Sequence, residues 1–116
     1  MALRPGILRF KKDFDRLYKR GRPVGDKYVV VFQIANGLEY SRKAFLASKK
    51  VGGAVARNRA RRLMKESYRK IEIGIVSGRD ILFIARSDAA DAHCADVEKS
   101  MLRALNKCGL IKQNSK

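Results

Sequence analysis

Acidic side chains are scarce in this sequence: 11 Asp and Glu stand against 27 Lys and Arg in 116 residues, a formal net charge of +16. The acids are also scattered. Neither Asp13 with Asp15 nor Glu72 with Asp80 makes a convincing pair for two-metal hydrolysis. No Ser/His/Asp set is found: the one histidine, His93, reads as a solvated residue at a helix start, and a free-standing nuclease is the weakest reading. Cysteine occurs twice. Cys94 and Cys108 share helical spacing with Val97, Met101 and Leu105, which reads as an apolar stripe of reduced core residues. Two Cys and one His without paired spacing do not make a zinc site. No apolar run approaches the roughly 18 residues that span a bilayer. Residues Met1 to Phe14 mix Arg4, Arg9, Lys11 and Lys12 with isolated apolar residues, unlike a signal peptide, so a cytoplasmic protein is expected. With no repeats, low-complexity segments or linkers, residues 1–116 read as one domain, loose at about 1–7 and 112–116.

Hydrophobic residues, at 46%, are too many for a disordered basic tail. A folded domain this basic points to phosphates, in nucleic acid first and in an anionic membrane second.

The charge is concentrated between Ser48 and Lys70, which hold nine Lys or Arg and a single acid, Glu66. Gly52-Gly53 is a breaker, and the helix-forming residues after it predict a helix from about Ala54 to Ile71. On a helical wheel Ala56, Ala60, Leu63, Met64, Ser67, Tyr68 and Ile71 fall on one arc. Asn58, Arg59, Arg61, Arg62, Lys65, Glu66 and Arg69 fall on the other, with Arg57 at the seam beside Tyr68. A solvated face would more often interleave Glu. Here like charges at i,i+4 (Arg57, Arg61, Lys65 and Arg69) destabilise the isolated helix by a few tenths of a kcal/mol each. The balance favours a nucleic-acid surface.

In chain order, a first helix is expected from about Lys11 to Arg20, stopped by Gly21, with Phe14, Leu17 and Tyr18 on one face. Arg22 to Asp26 reads as a short edge strand or turn because of Pro23. Tyr28 to Ala35 is a strand. Asn36-Gly37 is a hairpin signal, with a partner strand from about Glu39 or Tyr40 to Ser48 whose buried part is Ala44 to Ala47. After the basic helix and a Ser77-Gly78 turn, Asp80 to Ala85 is an apolar strand covered on both faces. A last helix is expected from about Ala90 or Asp91 to Lys107. Cys108-Gly109 closes it, and Leu110-Ile111 pack back. The order is α-β-β-β-α-β-α: an α+β fold with a small mixed sheet of three to four strands packed with helices.

Lys49-Lys50-Val51-Gly52, Ala54-Val55, Arg57-Asn58-Arg59, Arg61-Arg62 and Glu66, in that order, resemble the signature of the bacterial ribonuclease P protein subunit. The resemblance extends over nearly the whole chain. It departs at Gly53, where the family commonly has Asn; in typical helix caps Gly costs only a few tenths of a kcal/mol by comparison. The resemblance implies a left-handed β-α-β crossover, against the general rule. It also implies removal of the 5′ leader from precursor tRNA in complex with a catalytic RNA, with no obligate protein partner. The protein alone would be inactive, with no catalytic residue and no bound metal or other cofactor of its own. Mg²⁺ would be held mainly by the RNA.

Two surfaces follow from the resemblance. Lys49, Lys50, Arg57, Asn58, Arg59, Arg61, Arg62, Lys65 and Arg69 would meet the RNA subunit. Phe14, Tyr18 and Phe32, with Lys43 and Arg86, would take the single-stranded leader, since rings stack on unpaired bases with little sequence preference. A ribosomal or other RNA-packaging module would use the same basic helix but has no need for stacking platforms. A major-groove DNA binder is disfavoured because strands flank the helix.

Overall fold

The computed structural model describes residues 6–112. Of the stretches expected to be loose, about 1–7 and 112–116, residues 1–5 and 113–116 lie outside the described residues. By contrast, the Gly6 carbonyl accepts the Lys43 N–H at 2.8 Å and the Lys112 N–H donates to the Gly74 carbonyl at 2.8 Å. The apolar run Ile81-Leu82-Phe83-Ile84 sits in strand β4 (Arg79–Ala85). A strand apolar on alternate positions in both phases needs cover on both faces and both edges, and β4 receives it. The sheet order is β1-β2-β4-β3. Strand β2 (Val29–Ala35) flanks β4 antiparallel, with Val31 opposite Phe83. Strand β3 (Arg42–Ala47) flanks it parallel, with Phe45 opposite Phe83. The two-residue strand β1 (Val24–Gly25) closes the β2 edge.

This arrangement corrects the hairpin expectation. The Asn36-Gly37 turn forms, but β2 and β3 do not pair with each other, because β4 stands between them. Asn36 organises a wider connection instead. Its Oδ1 accepts the Leu38 N–H at 2.8 Å, and its Nδ2 donates to the Tyr40 carbonyl at 3.1 Å. As an edge strand, β3 also starts later than expected, at Arg42. Only Ala44 of the Ala44–Ala47 stretch is buried, and Leu46 is 37% exposed.

Among the described residues three helices cover the sheet. Helices α2 (Ala54–Ile71) and α3 (Cys94–Lys107) lie on the face presenting Val29, Val31, Ile81, Phe83 and Phe45. There Phe83 stacks on Phe45 at 5.4 Å between centroids and meets the Tyr68 ring edge-on at 5.6 Å. Helix α1 (Lys11–Arg20) lies on the opposite face, where Leu17 packs with Leu82, Phe32 and Ala44. Gly21 ends α1 where a Cβ would stand 2.6 Å from the Leu17 carbonyl oxygen. Strand β3, helix α2 and strand β4 form the parallel β-α-β crossover. Among the described residues no helix is long and apolar enough to cross a membrane.

Helix α3 begins at Cys94 rather than near Ala90. Ala89–Asp91 makes a single 3-10 turn, and extended backbone at Ala92 and His93 separates it from the helix. The small residues Ala89 and Ala90 are buried, so packing fixes that turn where propensity alone would continue the helix. Val97, Met101 and Leu105 are fully buried, whereas Cys94 and Cys108 are half-buried free thiols at the ends of the stripe. Leu110 packs back: its carbonyl accepts the Val76 N–H at 2.8 Å.

Asp26 ties the β1–β2 turn to α3. Its carboxylate receives Arg103 Nη2 at 2.7 Å, Ser100 Oγ at 2.8 Å and the Lys27 N–H at 2.8 Å. The Arg103 guanidinium holds this carboxyl well below the usual aspartate range, with burial opposing. A depressed folded pKa means the stabilisation is complete above the usual aspartate value, near pH 4, and is lost as pH falls towards the folded value. Asp26→Asn is therefore expected to cost about 1–3 kcal/mol in urea unfolding at pH 7. Its deficit against the wild type should shrink on acidification below about pH 4. A deficit that does not change with pH would contradict this account of the Arg103 contact.

Candidate nucleic-acid interface

Helix α2 forms with the boundaries its composition predicts. Gly52 makes the turn before it at φ +141°, a left-handed conformation that favours glycine. Gly53 is the N-cap, with ordinary extended backbone, no side-chain cap hydrogen bond and open space at its Cβ position. An Asn side chain would also fit there. The wheel is realised: Ala60, Met64, Ser67, Tyr68 and Ile71 are buried, and Ala56 and Leu63 are half-buried.

On the other side Asn58, Arg59, Arg62, Lys65 and Arg69 are exposed, and Arg57 and Arg61 half-buried. Asn58 Oδ1 accepts from the Arg61 guanidinium, and Arg69 donates to Glu66 one turn back. Glu66 thus neutralises a single cation of the row. Among the described residues Arg57, Arg59, Arg62 and Lys65 have no carboxylate partner, and the Arg57 Nε is buried without a hydrogen-bond acceptor. Lys49 and Lys50, both exposed, sit in the turn between β3 and α2. A row of unpaired cations on a rigid helix, with Asn58 fixing one guanidinium, suits successive phosphates.

The aromatic residues lie across the sheet. Tyr18, 47% exposed on α1, meets the half-buried Phe32 of β2 edge-on at 5.1 Å between centroids. Phe14, one turn earlier on α1, lines a groove of about 610 Å³ beside the outer edge of β3, where Gly6 and Leu8 hydrogen-bond to the Lys43 backbone. Phe45, Leu46, Tyr68, Lys43, Lys65 and Arg69 line the same groove. The groove therefore joins the α1 side of the sheet to the basic helix. Burial, helped by Glu72, pushes the Tyr68 hydroxyl up to about 12, so it is a neutral hydrogen-bonding group at ordinary pH.

The remaining two expected leader residues are placed apart from the ring pair. Lys43 points to the α2 face, with its Nζ 5.4 Å from the Tyr68 ring centroid and 3.8 Å from Glu72 Oε2. Arg86 leaves β4 beside the β1–β2 turn, donating to the Asp26 carbonyl at 3.3 Å, at the other edge of the sheet from the groove. Sequence reasoning missed Leu46 and Tyr68 as groove residues and the ion network under α1. The signal for the network was Asp80, a lone acid opening an apolar strand, which must find a buried cation.

Residues 4–109 match the family model described as Ribonuclease P. The chain is 40% identical to the "Ribonuclease P protein component" of Alkaliphilus metalliredigens, over 90% of this chain and 94% of the relative. It is 45% identical to the protein of that description from Clostridioides difficile, over 81% of this chain and 83% of the relative. Among solved structures, the RNase P protein of Staphylococcus aureus superposes with a TM-score of 0.82 at 28% identity, covering 94% of this chain and 100% of that one. That of Thermotoga maritima gives 0.77 at 30% identity, covering 86% and 94%.

Proposed function

This chain belongs to the ribonuclease P protein family, and from that premise we propose that it engages two RNAs through two adjoining surfaces. The exposed row on α2, with Lys49 and Lys50, binds the RNA component of the complex. Phe14, Tyr18 and Phe32 stack on the unpaired 5′ leader of precursor tRNA, and Lys43 and Arg86 contact its phosphates. The RNA component cuts the leader, and the protein holds enzyme and substrate together. Among the described residues no three His, Cys, Asp or Glu side chains converge on one point. In this reading the magnesium ions belong mainly to the RNA, and the reaction takes place in the cytoplasm.

The observation that carries the proposal is the division of the surface. An unpaired cation row faces one way, and an exposed ring edge-on to a second ring lies across the sheet. Charge alone would serve any RNA-packaging protein. Stacking rings serve a single strand of any sequence, as a processing enzyme with many substrates requires.

The test is leader cleavage at low magnesium by a bacterial ribonuclease P RNA with and without this chain, beside an unrelated basic protein. Strong stimulation by this chain alone, and no cleavage without the RNA, is expected. Equal stimulation by the basic control would make it a general RNA-packaging module.

A further inference from the structure

Helix α1 carries two of the three stacking rings yet is thinly anchored. It buries only Leu17 and Asp13, and its N-cap residue makes no side-chain hydrogen bond. Half of its buried anchor is thus a carboxylate, which must be matched from the sheet. Arg42, at the start of β3, supplies the match. Its Nε donates to Asp80 Oδ1 at 2.8 Å and its Nη2 to Asp80 Oδ2 at 2.6 Å. The same Nη2 reaches Asp13 Oδ1 at 3.5 Å. Arg16 Nη2 donates to Asp13 at 3.2 Å, and Asn36 Nδ2 to Asp80 at 3.0 Å. Asp80 is wholly buried and Asp13 is 3% exposed.

Resting on the leader reading above, we infer that Arg42 is a positioning residue for the substrate surface. One guanidinium shared between a β4 carboxylate and an α1 carboxylate fixes where α1 lies, and hence where Tyr18 meets Phe32. A buried ion group is a poor source of stability compared with apolar packing of the same volume. It is directional, however: a planar fork anchored bidentately on Asp80 leaves one place for Asp13. Apolar contact through Leu17 and the half-buried Phe14 carries no such direction and would let α1 slide. Lysine could keep the charge but not the fork.

The test uses the reconstituted complex with Asp13→Ala, which leaves the Arg42–Asp80 pair intact, and with Arg42→Lys. Affinity is measured for precursor tRNA with a long and with a single-nucleotide leader, alongside affinity for the RNA component. Both variants are expected to lose about tenfold of the long-leader advantage, the worth of one misplaced ring, with RNA-component affinity unchanged. If both affinities fall in step, the network is merely structural and the inference fails. If the long-leader advantage survives both variants but not Phe14→Ala/Tyr18→Ala, the inference fails and the leader reading stands. If that ring variant is silent too, both fall. Should Arg42→Lys not fold, Asp13→Ala carries the test alone.

Discussion

Replacing Arg59 and Arg62 together by alanine is expected to weaken binding of the ribonuclease P RNA about tenfold at moderate salt while leaving the fold intact. Both side chains are exposed on α2 and neither has a carboxylate partner among the described residues. No internal contact is therefore lost. Alanine is the better helix former, and removing like charges relieves repulsion of a few tenths of a kcal/mol. The melting temperature should hold or rise slightly as affinity drops. That opposition separates a lost phosphate contact from lost structure. The slope of log K against log salt should fall by about one for each arginine removed, hence about two for the pair. An unchanged slope would mean that these two arginines touch no phosphate.

Phe14→Ala/Tyr18→Ala is expected to act on the other RNA. Each ring that stacks on a base is worth about 1–3 kcal/mol, so the pair should weaken capture of a long-leader precursor by tenfold or much more. A single-nucleotide leader, too short to reach both rings, should be bound as by the wild type. Tyr18→Ala alone serves as the control for folding, because nearly half of that side chain is already in solvent. Phe14 is half-buried and packs against the Leu17 cluster, so its removal carries some loss of stability. Equal weakening for both leaders would place the rings in general packing and not in a stacking site.

Much of this was legible locally. The ends of α1 and α2 follow from breakers and helix formers close by in sequence, and the helix wheel separated core from cation row at Ala60, Met64 and Tyr68. Strand order was not legible in the same way. Asn36-Gly37 specifies that the chain turns, but not that a strand more than forty positions on will be inserted beside β2. The insertion follows from a global demand, the burial of Ile81 to Ile84 on both sides. The direction of Lys43 was not legible either: it depends on the register of β3 with β4, which sets Lys43 opposite Ile81 on the helix-covered face, away from the Tyr18–Phe32 pair. Arg42 was invisible for a similar reason, since its acceptors lie 29 positions before it and 38 after. The start of α3 was missed where helix formers were overruled by packing at Ala89 and Ala90.

The claim that one small domain addresses two RNAs, one through the rings of α1 and β2 and the other through the cation row of α2, is tested most directly by crosslinking. A photoreactive group is placed at Tyr18→Cys or at Arg59→Cys, each in a Cys94→Ala/Cys108→Ala background, in the complex with ribonuclease P RNA and a long-leader precursor tRNA. The account predicts that the Tyr18 position labels the leader and the Arg59 position labels the RNA component. Labelling of the same RNA segment from both positions, or no leader adduct from Tyr18, would contradict it.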